Sequence, residues 1–174
     1  MIYEFCAENV TLLEKAMQAG ARRIELCDNL AVGGTTPSYG VTKAAVELAA
    51  NYDTTIMTMI RPRGGDFVYN DLEIAIMLED IRLTAQAGSQ GVVFGALTAD
   101  KKLDKPNLEK LIAASKGMEI VFHMAFDELS DEDQLEAIDW LSQAGATRIL
   151  TRAGVSGDSL EKRFAHYHGL LEHA

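Results

Sequence analysis

The sequence predicts an α/β protein built from repeated βα units, with a parallel sheet beneath a cover of helices. Three observations predict it. One short pattern occurs three times, as "QAGARRIEL" at Gln18–Leu26, "QAGSQGVVF" at Gln86–Phe94 and "QAGATRILT" at Gln143–Thr151. Each puts a glycine where a helix should end, because glycine accepts the left-handed C-terminal conformation without a side-chain penalty, and a short apolar strand follows. The strand segments are apolar on both faces, as strands buried between helices must be. Strands and long amphipathic segments then alternate strictly, the pattern of a parallel sheet.

The elements follow in order. A strand at Ile2–Cys6 leads to a helix at Val10–Ala19 that Gly20 ends. A strand at Arg23–Leu26 is followed by the long loop "CDNLAVGGTTPSYG" and a helix over Ser38–Asn51, with Ser38 at its cap. The run "TTIMTMI" gives a strand at Thr55–Ile60, and Asp71 is the expected cap of a long helix at Asp71–Ala87. A strand at Gly91–Phe94 precedes a helix at Pro106–Ser115, with proline in its first turn. A strand at Glu119–Phe122 precedes a helix at Asp131–Ala144, capped by Ser130 or Asp131; the acids of "DELSDEDQLE" complement its dipole on a solvated face. The last pair is a strand at Arg148–Leu150 and a helix at Ser159–His173.

Strict alternation leaves two architectures, an open doubly wound sheet or a (β/α)8 barrel. Six units suit the open sheet, since a barrel needs eight and about 250 residues is typical. Against it, the first strand leads into "CAENVTLLEK" and not into a glycine-rich phosphate loop. The pattern alone leaves both open. With 48% hydrophobic and 24% charged residues, residues 1–174 are expected to form one domain with its own core. No apolar run approaches the ~20 residues of a membrane span, and the N-terminus has no signal-peptide character, so a cytoplasmic protein is expected. Sixteen basic residues face 26 acidic ones, and a formal charge of -10 with no basic cluster makes nucleic acid an unsuitable partner. Two cysteines are too few for a disulfide framework.

In a parallel βα protein the loops after the strand C-termini converge at one mouth, where function usually lives. The first strand ends in "EFC" and the second in "ELC". Residues two apart on a strand share a face, so Glu4 aligns with Cys6 and Glu25 with Cys27, and an inward register gathers two carboxylates and two thiols. The third strand ends in Arg61, followed by Arg63 and Asp66; the fifth ends in His123 with Asp127 beyond; the sixth ends in Thr151 and Arg152. Thiolates suit Cu(I), with Met57, Met59 or Met124 as thioether neighbours, which makes Cys6 and Cys27 the candidate metal ligands. Two buried thiols packed as small hydrophobes are the plain alternative.

The arginines read two ways. They brace Glu4 and Glu25, which would repel if buried together, through bidentate hydrogen bonds, or Arg61 and Arg63, with Asp66, bind an anionic ligand at the mouth. Glu4, Glu25, Arg61, His123 and Asp127 are the groups available for an acid–base site, while a structural hydrogen-bonded histidine is an equal reading of His123. The "CDNLAVGGTTPSYG" loop is long enough to cover the mouth as a lid, and Gly33 and Gly34 offer backbone N–H groups to an anion. His166 and His173 share a face of the last helix and, with His168, read as a solvated surface.

The strings "YEFCAENV", "GARRIELCDNLAVGGTTPSYG", "MIRPRGGDFVYND", "VVFGALTADKKLDKPNLEKLI", "VFHMAFDE" and "GATRILTRAG" together resemble the CutC family. The resemblance runs along essentially the whole chain and is most specific at GG-T-P-S-x-G and R-P-R-G-G-D-F. It implies a (β/α)8 TIM-barrel fold of which this sequence carries about six βα units, an incomplete barrel with two unpaired edges. It also implies a cytoplasmic copper homeostasis protein, Cu(I) as its ligand at the E-x-C cysteines Cys6 and Cys27, and self-association into a homo-oligomer. The rival reading, from the residues, is a barrel enzyme acting on a small polar or anionic metabolite through the Glu, Arg and His groups at the mouth.

Overall fold

The computed structural model describes residues 1–154 and 157–174. Six strands, β1 (Glu4–Glu8), β2 (Arg23–Cys27), β3 (Thr55–Met59), β4 (Gly91–Phe94), β5 (Glu119–Phe122) and β6 (Arg148–Ile149), lie side by side in chain order. Every neighbouring pair is parallel. The crossovers are α1 (Leu13–Gln18), α2 (Tyr39–Ala49), α3 (Asp71–Ala87), α4 (Lys105–Ala114) and α5 (Asp131–Ala144), and α6 (Leu160–His173) follows β6. A doubly wound sheet reverses its strand order at a switch point; this one never does, so it is the wall of an incomplete TIM barrel. Among the described residues β1 and β6 are its edges, and no helix is long and apolar enough to cross a membrane.

Strand alternation sorts the side chains into two layers. Ala7, Ile24, Leu26 and Ile56 point outward onto Leu13 and Met17 of α1 and Ala45 and Ala49 of α2. Val92, Phe94, Ile120 and Phe122 do the same against α3, α4 and α5, meeting Met77, Ile81, Leu108, Leu111 and Leu141. The opposite face, the barrel interior, carries a smaller buried cluster of Cys27, Met57, Met59, Val93 and Val121, with Leu150 packed against it. Each fully buried apolar side chain contributes about 1.5–3 kcal/mol, so the outer layer holds the wall together and the inner face is free to carry polar groups.

The helix-ending glycines behave as their spacing predicts: Gly20, Gly88 and Gly145 have φ of 100°, 89° and 97°. Other boundaries move for local reasons. β1 begins two residues late, and α1 starts only at Leu13, because Asn9 and Leu12 are left-handed at φ 57° and 60° and the chain turns before the helix. The cap of α3 is Asn70, not Asp71: its side chain accepts from the Glu73 N–H, and the Glu73 carboxylate accepts from the Asn70 N–H, a reciprocal capping box. The α6 histidines also differ from expectation. His173 Nε2 lies 3.2 Å from Asp139 and a ring nitrogen of His166 lies 2.7 Å from Gln134 Oε1, so both dock α6 onto α5 and do not simply face solvent.

Candidate functional site

The register pairs Cys6 with Glu25 and Glu8 with Cys27. Cys6, Glu25 and Cys27 therefore share the inner face, and their two sulfurs and a carboxylate oxygen all lie within 4.8 Å of one another. Both thiols direct their S–H toward the same atom, Glu25 Oε1, at 3.5 Å from Cys6 and 3.8 Å from Cys27. The other oxygen, Oε2, is buried without a hydrogen-bond partner. Burial pushes the Glu25 carboxyl up, with the Cys6 hydrogen bond opposing it. The Cys27 thiol is pushed up strongly by its hydrogen bond to Cys6, then by burial and by the Glu25 charge. Burial and the Glu25 charge thus both favour the protonated form of Cys27, whose proton a thiophilic ion would have to displace.

Met59 stands beside the cluster. A Cβ built on Gly34 would meet Cys27 Sγ at 3.0 Å and the Met59 methyl at 3.7 Å. Met57 lines the same interior but turns its sulfur toward Arg148, 3.6 Å away, and Met124 sits apart in the short 3-10 turn after β5. Glu4 faces the interior one step below, with its carboxylate on Arg23 at 3.1 Å; Arg148 and Glu119 form a second such pair at 2.7 Å.

The arginines brace the molecule, but not through Glu4 and Glu25. Arg61 is 4% exposed, and its guanidinium donates to three carbonyls: Val32 at 2.9 Å, Gly34 at 3.0 Å and Gly65 at 2.7 Å. Its backbone is pinned as well, since Arg61 N–H donates to Thr36 Oγ1 and Thr36 N–H to the Arg61 carbonyl. Arg61 staples the loop after β2 to the loop after β3. The Gly33 and Gly34 N–H groups donate to Leu30 and Asn29 within their own turn, so the loop offers carbonyls to a cation and not N–H groups to an anion. Gly64 allows the two loops to touch, because a Cβ there would stand 2.7 Å from Val32 Cβ. Arg63 fastens the second loop to α3 through Glu73 at 2.5 Å and braces the loop itself through Asp66 at 2.9 Å. Arg63 also holds the Asp66 carboxyl below its usual range.

His123 is 3% exposed, and its Nδ1 accepts from the Ala125 N–H at 3.2 Å. Burial first, then the charge of Arg61, lowers its pKa to about 3. Its ring lies 4.8 Å from that of Phe67, which in turn lies 4.9 Å under the Arg61 guanidinium. Asp127 is buried under the loop after β6, where it accepts from the Thr151 hydroxyl and from the Arg152 N–H at 3.0 Å. The residues singled out in the sequence therefore occupy five places, one of them the Arg63–Asp66 pair beside the start of α3. Cys6, Glu25 and Cys27 form one cluster, Arg61 and His123 flank Phe67, Glu4 joins a lower ion pair, and Asp127 organises the sixth loop. Sequence reasoning missed Thr36, Phe67 and Tyr69, which carry no chemical signature until the loops are folded.

The model of the CutC family matches residues 1–170. A family protein CutC from Enterococcus faecalis is 52% identical over the whole chain, which spans 83% of that relative. The crystal structure of CutC from Streptococcus agalactiae superposes with a TM-score of 0.96 at 46% identity, covering 100% of this chain and 83% of that one. An archaeal fructose-1,6-bisphosphate aldolase superposes at 0.66 with 16% identity over 92% of this chain and 61% of its own, a likeness of fold alone.

Proposed function

The chain belongs to the CutC family, and from that premise we propose that it handles Cu(I) through Cys6, Cys27 and Glu25. The observation that carries the proposal is the meeting of two thiols and a carboxylate within 4.8 Å on the barrel interior. A thiolate–metal bond is roughly 2.3 Å long, so two sulfurs sharing an ion stand about 4.6 Å apart or closer. Paired thiolates with a thioether neighbour favour a soft monovalent ion over hard cations. The unpartnered Glu25 Oε2 supplies a third donor or a base for the displaced thiol protons. The name of the Streptococcus agalactiae relative points to copper homeostasis, which agrees with this chemistry. On this reading the protein works in the cytoplasm, where free thiols stay reduced.

Anaerobic titration of the reduced protein with Cu(I) against a competing chelator tests it. The Cys6→Ser, Cys27→Ser double variant should lose tight binding, and Glu25→Gln should weaken it less. Affinity unchanged in the double variant ends the proposal.

A further inference from the structure

Across the Gly33–Gly34 turn from the thiols, three buried polar atoms lack a hydrogen-bond partner among the described residues: Arg61 Nε, His123 Nε2 and the Tyr69 hydroxyl. They belong to one cluster. Phe67 lies between Arg61 and His123, and the charge of Arg61 is felt by both His123 and Tyr69. Buried polar groups are normally satisfied, so three exceptions in one place call for a ligand.

The polarity of the cluster selects that ligand. Nδ1 of His123 accepts from Ala125, so the neutral ring carries its proton on Nε2 and can only donate there. Arg61 is a permanent cation that donates to three neutral carbonyls and stands beside the Tyr69 hydroxyl, and Asp66, which feels its charge, is bonded to Arg63 instead. The carboxylates nearest the cluster, Asp66 and Glu73, are both engaged by Arg63, so the donors and positive charge that remain repel a metal ion and suit an anion.

We propose that Arg61, His123 and Tyr69 form a binding site for an oxyanion, the carboxylate or phosphoryl group of a small metabolite, with Phe67 as its cover. The half-buried Phe67 is carried by a loop that turns on Gly64 and Gly65, the latter at φ 89°, where a side chain would be strained. Swinging the ring outward opens the space between the guanidinium and the imidazole. The site does not depend on copper, and the Cys6→Ser, Cys27→Ser protein keeps it.

Calorimetric titration with succinate and with inorganic phosphate, each against sodium chloride at equal ionic strength, tests the site and separates the two anion sources. One of them should bind saturably and raise Tm with concentration. Tyr69→Phe, which removes one hydroxyl from a packed ring, should weaken that binding roughly tenfold, as losing a hydrogen bond to a charged group does. His123→Gln should weaken it at least as much, and the double cysteine variant should match the parent. Neither anion binding beyond the chloride control, or undiminished binding in both Tyr69→Phe and His123→Gln, overturns the proposal.

Discussion

Arg61 donates from Nη1 to the carbonyl of Gly34 at 3.0 Å, while a Cβ on the same glycine would meet Cys27 Sγ at 3.0 Å. One small residue thus joins a buried cation on β3's loop to a buried thiol at the end of β2. The thiol cluster and the Arg61–His123 cluster are separate in chemistry but share this wall, so the rigidity of one bears on the other.

Replacing Arg61 with Met removes three hydrogen bonds from a charged donor and leaves the Val32, Gly34 and Gly65 carbonyls without it. A loss of about 3 kcal/mol or more in urea unfolding is expected, because buried acceptors are left unsatisfied on both loops. Arg61→Lys should recover only part of it, since one ammonium cannot reproduce the guanidinium fork. A variant as stable as the parent would remove the staple from the account.

Gly34→Ala combines two effects that a control can separate. At φ 87° an alanine is strained, and its Cβ would press on Cys27 Sγ at 3.0 Å. Gly20 is also left-handed, at φ 100°, but a Cβ there meets nothing within 4 Å. Gly20→Ala should therefore cost about 1–2 kcal/mol of backbone strain alone. Gly34→Ala should cost more and should also change the rate at which Cys27 reacts with a disulfide reagent. Equal costs, with an unaltered thiol, would show that the contact is unimportant.

The fold was largely legible because its signals are local. The three "QAG" strings place three helix ends within a residue of where the chain turns, and the "EFC" and "ELC" alternation puts Cys6, Glu25 and Cys27 on one face. The choice between barrel and open sheet was not local; it came from the family resemblance and is visible in the unreversed strand order. The site was legible only in part, for the same reason. That Arg61 would reach backbone carbonyls and not Glu25 depends on where two irregular loops cross, which no periodicity encodes. His168 is exposed as expected, but the contacts of His166 and His173 are not encoded locally, because their partners, Gln134 and Asp139, lie on another helix.

The cap of α3 gives a direct check on one such local reading. Asn70 and Glu73 satisfy each other's backbone N–H groups. Asn70→Ala should lower stability by about 1 kcal/mol. Asp71→Ala, which leaves the box intact, should cost only a few tenths, the scale of a helix-dipole contact at an exposed site. Equal losses in thermal unfolding would put the cap at Asp71 after all.

The burial of His123 predicts a specific acid sensitivity. Its folded pKa is lowered to about 3 by burial and by Arg61, against roughly 6.5 in an unfolded chain. Between those values the unfolded state binds a proton that the folded state refuses. The neutral ring therefore contributes stability above pH 6.5, and that contribution is lost as pH falls toward 3, at up to about 1.4 kcal/mol per unit. His123→Phe keeps an aromatic ring against Phe67 but cannot titrate. The stability difference between parent and variant should shift against the parent by about 2 kcal/mol on going from pH 6.5 to 4.5, whatever the carboxylates common to both proteins do. Urea unfolding of the pair at the two pH values measures it. A difference that stays constant would mean that His123 finds an acceptor or solvent for its added proton in the folded state, and the closed, donor-lined cluster around Phe67 would have to be redrawn.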